Sequence, residues 1–143
     1  MSIAAILRYK GHDVARVAPT DTIAEVAARL AHHRIGAILV LDTADQLMGI
    51  VSERDIVRAL PMHGSRVLEM TAAQLMTQVL YTTTPQTSVP NAMAQMTDRR
   101  VRHLPVLDEG RLVGIVSIGD IVKARIDQQE QEVDSLKAYV AGG

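Results

Sequence analysis

Cysteine, phenylalanine and tryptophan are absent from the chain, and Tyr9, Tyr81 and Tyr139 are its only large aromatics. Without a thiol there are no disulfides, thiolate nucleophiles or cysteine-type zinc centres. Without aromatic platforms, single-stranded nucleic acid has nothing on which to stack its bases. Neither sign of charge is in excess: 15 Lys and Arg against 16 Asp and Glu leave a formal net charge of −1. General attraction to phosphate backbones or anionic lipid is therefore not expected. No apolar run reaches membrane-spanning length, and the first residues lack the basic-then-apolar layout of a signal peptide. The expectation is a cytoplasmic protein with no nucleic-acid and no membrane partner. The P-loop and G-x-S-x-G signatures are missing as well. His32 and His33 are neighbours pointing about 100° apart on a helix, and no convenient carboxylate completes a metal set with them. Neither an enzyme nor a metal protein is expected.

What the chain has instead is repetition. Gly49–Val57 reads GIVSERDIV and Gly114–Val122 reads GIVSIGDIV, identical at seven of nine positions and 65 residues apart in a chain of 143. The match runs further. At an offset of 66, Pro19 falls on Pro85, Ile23 on Val89, Leu30 on Met96, and Val40-Leu41-Asp42 on Val106-Leu107-Asp108. One residue drops out of the second turn and the offset becomes 65. The chain is a duplicated supersecondary unit.

Periodicity gives each unit its elements. Thr22–Arg34 carries Ile23, Val26, Ala27 and Leu30 on one helical face, and Thr22 with Glu25 reads as a capping box. Ser88–Arg100 is its counterpart, with Pro90 in the first turn, where no amide is needed. Short apolar runs follow at Ile38–Leu41 with Leu47–Val51, and at Leu104–Leu107 with Leu112–Val116, and read as hairpins. Ser52 and Ser117 stand where strand gives way to a second helix, as N-caps do. Lead-in strands are expected at Val14–Val17 and Val79–Thr83, making a three-stranded sheet per repeat. Neither half has the residues to bury a core comfortably alone.

The order β-α-β-β-α, together with Gly-Ile-Val-Ser-x-x-Asp-Ile-Val and RHLPVLDEGRLVGIVSIGDIV, resembles a cystathionine β-synthase (CBS) domain, and the chain resembles a tandem pair. The fold this implies is α/β, two CBS repeats related by a pseudo-twofold axis with a C-terminal helical tail. The repeats are bounded at 1–65 and 66–125, and the tail at 126–143. The resemblance further implies a regulatory module binding an adenine nucleotide in clefts between the repeats. AMP or ATP come first, with ADP, NAD or S-adenosylmethionine as alternatives. It implies too a homodimer acting on an unknown regulated protein. The competing reading is a structural dimerisation module with no physiological ligand.

Ser52 and Asp55 are three apart at a helix start, where exposed amides and the helix dipole suit an anion. An ionised carboxylate offers two acceptor oxygens, which matches the two hydroxyls of a ribose, and the resemblance implies that role for Asp55 and Asp120. The same Ser-x-x-Asp is also a capping box, a purely structural device. Arg54 reads as a phosphate contact or as a solvated helix arginine, and Gly119 replaces it in the second copy. The resemblance places Arg102, His103 and Pro105 with Ser52, Arg54 and Asp55 in one site. The other would use Ser117 and Asp120 with Gly36, Ala37 and Ile38, and Lys10 is a further candidate phosphate contact. In the tail, Val122, Ile126, Val133, Leu136 and Val140 form an approximate heptad seam interrupted by Gln129, with a second copy as the preferred partner.

Overall fold

A computed structural model describes residues 1–78 and 81–142. The chain divides into two compact units: the contiguous Val14–Leu80, and Met1–Asp13 joined with Tyr81–Gly143.

In the contiguous unit, β1 (Arg16–Val17) runs parallel to β2 (Ala37–Leu41). β2 pairs antiparallel with β3 (Leu47–Ser52), and β3 with β4 (Thr77–Gln78), in the order β1-β2-β3-β4. The sheet thus has one strand more than expected, because β4 spans two residues and carries no periodicity to read. Every side chain of β2 is buried, as a continuous apolar run requires. Helix α2 (Ile23–His33) lays Ile23, Val26 and Leu30 into the same core. Thr22 caps it, its hydroxyl accepting from the Glu25 amide at 3.2 Å. Helix α3 (Glu53–His63), a 3₁₀ segment (Gly64–Glu69) and the one-turn α4 (Ala72–Leu75) complete the unit.

The second unit holds α1 (Ile3–Lys10), α5 (Val89–Arg99), the antiparallel pair β5 (His103–Asp108) and β6 (Arg111–Ser117), and the long α6 (Ile118–Gly142). Glu109 and Gly110 both have positive φ, 50° and 78°, the geometry of a two-residue hairpin turn that follows strand twist. The longer turn of the first repeat is held instead by Asp42, whose Oδ1 accepts from the Ala44 and Gln46 amides at 2.9 Å. Of the strand expected over Val79–Thr83, Val79 and Leu80 lie outside the described residues, and Thr83 bridges Val106 in parallel.

The duplication extends further than the sequence match follows it. In the contiguous unit, Ile23 donates its amide to Met70, Ala72 to Asp21 and Ala73 to Pro19. In the second unit, Val89 donates to Met1, Ile3 to Thr87 and Ala4 to Pro85. Helix α1 therefore does for the second repeat what α4 does for the first. Ile3, Ile6 and Leu7 are buried there with Val89, Ala92, Met96 and Val116. The close approach explains the repeated glycine. A Cβ on Gly114 would lie 2.7 Å from Leu7 Cδ2, and one on Gly49 would lie 2.6 Å from Met76 Sδ and 2.8 Å from the Thr77 carbonyl.

Candidate functional site

Each unit presents one strand-to-helix corner, built the same way. In the contiguous unit, Ser52 ends β3 opposite Ala37, and the Glu53 amide donates to the Gly36 carbonyl at 2.9 Å. Ser52 Oγ accepts from the Asp55 amide at 3.1 Å, and Asp55 Oδ2 accepts from the Ser52 amide at 2.9 Å. The capping box is thus formed in full. It occupies one carboxylate oxygen of Asp55. Among the described residues, the protein offers no hydrogen bond to the other. Arg54 is exposed. Ala37 and Ile38 are buried, Ile38 within the core, so Gly36 and the backbone of this strand are what the corner presents.

In the second unit, Ser117 ends β6 opposite His103, and the Ile118 amide donates to the Arg102 carbonyl at 2.8 Å. Ser117 and Asp120 form the same reciprocal pair, at 2.8 and 3.1 Å. This corner has an addition. The Lys10 ammonium, at the C-terminal end of α1, donates to Asp120 Oδ2 at 2.7 Å and to the Ile115 carbonyl at 2.8 Å. The ring Nδ1 of His12 lies 3.1 Å from the Val113 carbonyl. Side chains here line the strand edge that β4 covers in the first repeat.

These contacts shape the electrostatics. Burial pushes the Asp120 carboxyl up, but the Lys10 hydrogen bond, the Ser117 amide and the Lys10 charge outweigh it and hold the group below its ordinary value. His103 is held below the usual imidazole range by burial first and by the Lys10 charge second, with Asp120 opposing and Arg102 adding a little. Asp120 is therefore a committed anion and His103 a neutral ring at pH 7.

The expected site residues fall as follows. Ser52, Arg54, Asp55, Gly36, Ala37 and Ile38 belong to the contiguous unit, and Ser117, Asp120, Arg102, His103, Pro105 and Lys10 to the other. Within their own units, Ser52 and Asp55 meet beside Gly36, and Ser117 and Asp120 meet beside His103 and Lys10. Pro105 is buried and accepts the Thr83 amide through its carbonyl at 2.9 Å. One residue carries no motif that marks it in the sequence. Thr83 is 4% exposed and its hydroxyl has no hydrogen-bond partner among the described residues. At the repeat offset it stands where the first repeat has the apolar Val17, and that departure was the available signal. A buried hydroxyl left without a partner costs about 1–3 kcal/mol. No group of three or more His, Cys, Asp or Glu suited to a metal occurs among the described residues.

Comparison with known proteins agrees with this architecture. The CBS domain family matches residues 8–62 and again 72–127. The Arabidopsis thaliana CBS domain-containing protein CBSX3, mitochondrial, is 37% identical over 127 residues, covering 86% of this chain and 62% of that protein. The chain thus spans less than two thirds of that relative. Among solved structures, a CBS-domain containing protein of Agrobacterium tumefaciens superposes with a TM-score of 0.83 at 40% identity, over 87% of this chain and 92% of its own. A Pyrobaculum aerophilum CBS domain protein complexed with AMP gives 0.74 at 28% identity, over 84% and 89%. A CBS domain pair in complex with 5′-methylthioadenosine and S-adenosyl-L-methionine gives 0.79 at 25%, over 90% and 98%. With two copies of one family's pattern in sequence and the fold of that family in three dimensions, the chain belongs to the CBS-domain family and carries two such domains in tandem.

Proposed function

We propose that the protein is a regulatory module that binds an adenine-containing ligand, AMP or ATP before NAD or S-adenosylmethionine, at its strand-to-helix corners. The observation that carries this reading is the Asp55 carboxylate. Its Oδ2 is fixed by the Ser52 amide at a helix start, which leaves a preorganised acceptor oxygen for a ribose hydroxyl. The related structures that hold AMP, or 5′-methylthioadenosine and S-adenosyl-L-methionine, support the ligand class. Asp120 is the matching acceptor of the other corner; there the Ser117 amide and Lys10 both fall on Oδ2, which leaves Oδ1 open but sets a cation against the carboxylate. Asp55, which has no ion pair among the described residues, is in this reading the stronger ribose acceptor of the two. Arg54, Arg102, Lys10 and the His103 ring are the phosphate contacts in this reading, and the Thr83 hydroxyl takes its missing bond from the ligand. Binding shifts the population of module conformations, and a regulated protein reads the shift.

Calorimetric titration with AMP, ATP, NAD and S-adenosylmethionine tests the proposal. Saturable binding of at least one, weakened tenfold or more by Asp55→Ala and less by Asp120→Ala, is the expected result. Silence from all four leaves the capping boxes as purely structural devices and returns the protein to the role of an assembly module.

A further inference from the structure

Helix α6 has two faces of opposite character. Ile121 and Ala124 are buried against the second unit's own core, with the Ser117–Asp120 capping box fixing the first turn. From Gln129 to Gly142 every residue is exposed. Val122, Ile126, Val133, Leu136 and Val140 are exposed by 44, 48, 50, 63 and 69%. Together with Gln129 they are spaced alternately by four and three residues, the a/d pattern of a heptad. At 100° per residue the centre of this stripe lies about 130° around the helix from Ile121 and Ala124. It therefore faces away from the core of its own unit.

We infer that this stripe is the seam of a parallel two-stranded coiled coil with α6 of a second copy of the chain. The residue types select that partner. The a positions are Ile126, Val133 and Val140, all β-branched, and the d positions include Leu136, the combination that favours two parallel strands. The flanking charges select the orientation. In a parallel pair each g position meets the e position of the following heptad on the other helix. Arg125 then meets Glu130, and Glu132 meets Lys137, opposite charges in both cases. An antiparallel pair with the same stripe overlapped would set Glu130 against Glu130, Glu132 against Glu132, and Lys123 against Lys137. Every flanking contact between two charged residues would be repulsive, and Arg125 would lose its acidic partner to Tyr139. Gln129 at a d position weakens the seam and pins its register, since only the in-register pair places the two glutamines together. Two heptads are too few for an isolated coiled coil, but here the fold has already nucleated the helix.

Because the chain has no cysteine, Val140→Cys gives a single reporter. In the parallel pair the two thiols face each other. In the antiparallel pair each lies opposite position 122 of the other helix, and the two thiols are about 27 Å apart along the axis. The full-length variant is oxidised at micromolar concentration and the disulfide-linked dimer measured, alone and with charge reversals. The expected result is efficient cross-linking, a loss of tenfold or more with Glu132→Lys, and recovery when Lys137→Glu is added. No cross-linking, or a yield indifferent to the charge reversals, overturns the inference. The reversed residues are exposed, and circular dichroism of each variant checks that the fold is retained.

Discussion

Lys10 serves two acceptors at once, the Asp120 carboxylate and the Ile115 carbonyl, and it adds to the lowering of two neighbours' pKa values, that of Asp120 against burial and that of His103 in the same direction as burial. Removing it in Lys10→Met should let both Asp120 and His103 titrate at higher pH, read by NMR. The ion pair is partly open, its side chains exposed by 35% and 25%, so the stability lost is at most about 1 kcal/mol. The signs of the pH dependence follow. The folded His103 resists protonation, whereas the unfolded ring takes a proton near the ordinary value of about 6.5. Stability should therefore fall as pH drops below about 6.5, and His103→Gln should flatten that slope in urea titrations at successive pH values. Asp120, depressed in the fold, contributes stability above about pH 3.9 that is lost as pH falls through its lowered value. The Ser-x-x-Asp corners were legible in sequence because a capping box is a local pattern. The Lys10 contact, across 110 residues, was not, since no local spacing encodes it.

At the scale of elements, the glycines of β3 and β6 report how closely each repeat's outer segment is pressed on its sheet. Gly49→Ala would drive a methyl into the Thr77 carbonyl as well as Met76, whereas Gly114→Ala meets only the end of Leu7. The first should cost more in equilibrium unfolding, about 2–3 kcal/mol against about 1–2 for the second. Leu7→Ala should cost about 3 kcal/mol through its cavity. The pair Leu7→Ala with Gly114→Ala should cost less than the sum, because the new methyl enters space the leucine vacates. The hairpins and the helices after them were readable from apolar runs bounded by turns and caps. Helix α1 went unread, although Ile3, Ile6 and Leu7 have helical spacing, because a single eight-residue stretch gives its meaning only once its seat is known. β4 was beyond reach: two residues, Thr77 and Gln78, carry no alternation.

At the scale of the molecule, the duplication was legible as a pattern, but the way the chain is partitioned was not. The repeat bounds of 1–65 and 66–125 follow the sequence match, whereas the packed units assign the N-terminal segment to the second repeat. Deleting Met1–Asp13 should therefore strip amide-exchange protection from α5, β5 and β6 more than from β2 and β3. Equal loss throughout, measured by mass spectrometry, would contradict that division. Helix α1 also leaves the ribosome well before its seat, which is made of residues beyond Tyr81. At roughly 5–20 residues per second, it waits several seconds for that seat to be made, while Val14–Leu80 already has the residues of its own unit. During that interval Ile3, Ile6 and Leu7 form a sticky stretch, too short to hold a helix alone, and in a crowded polysome they have the longest opportunity to be captured by a neighbouring nascent chain.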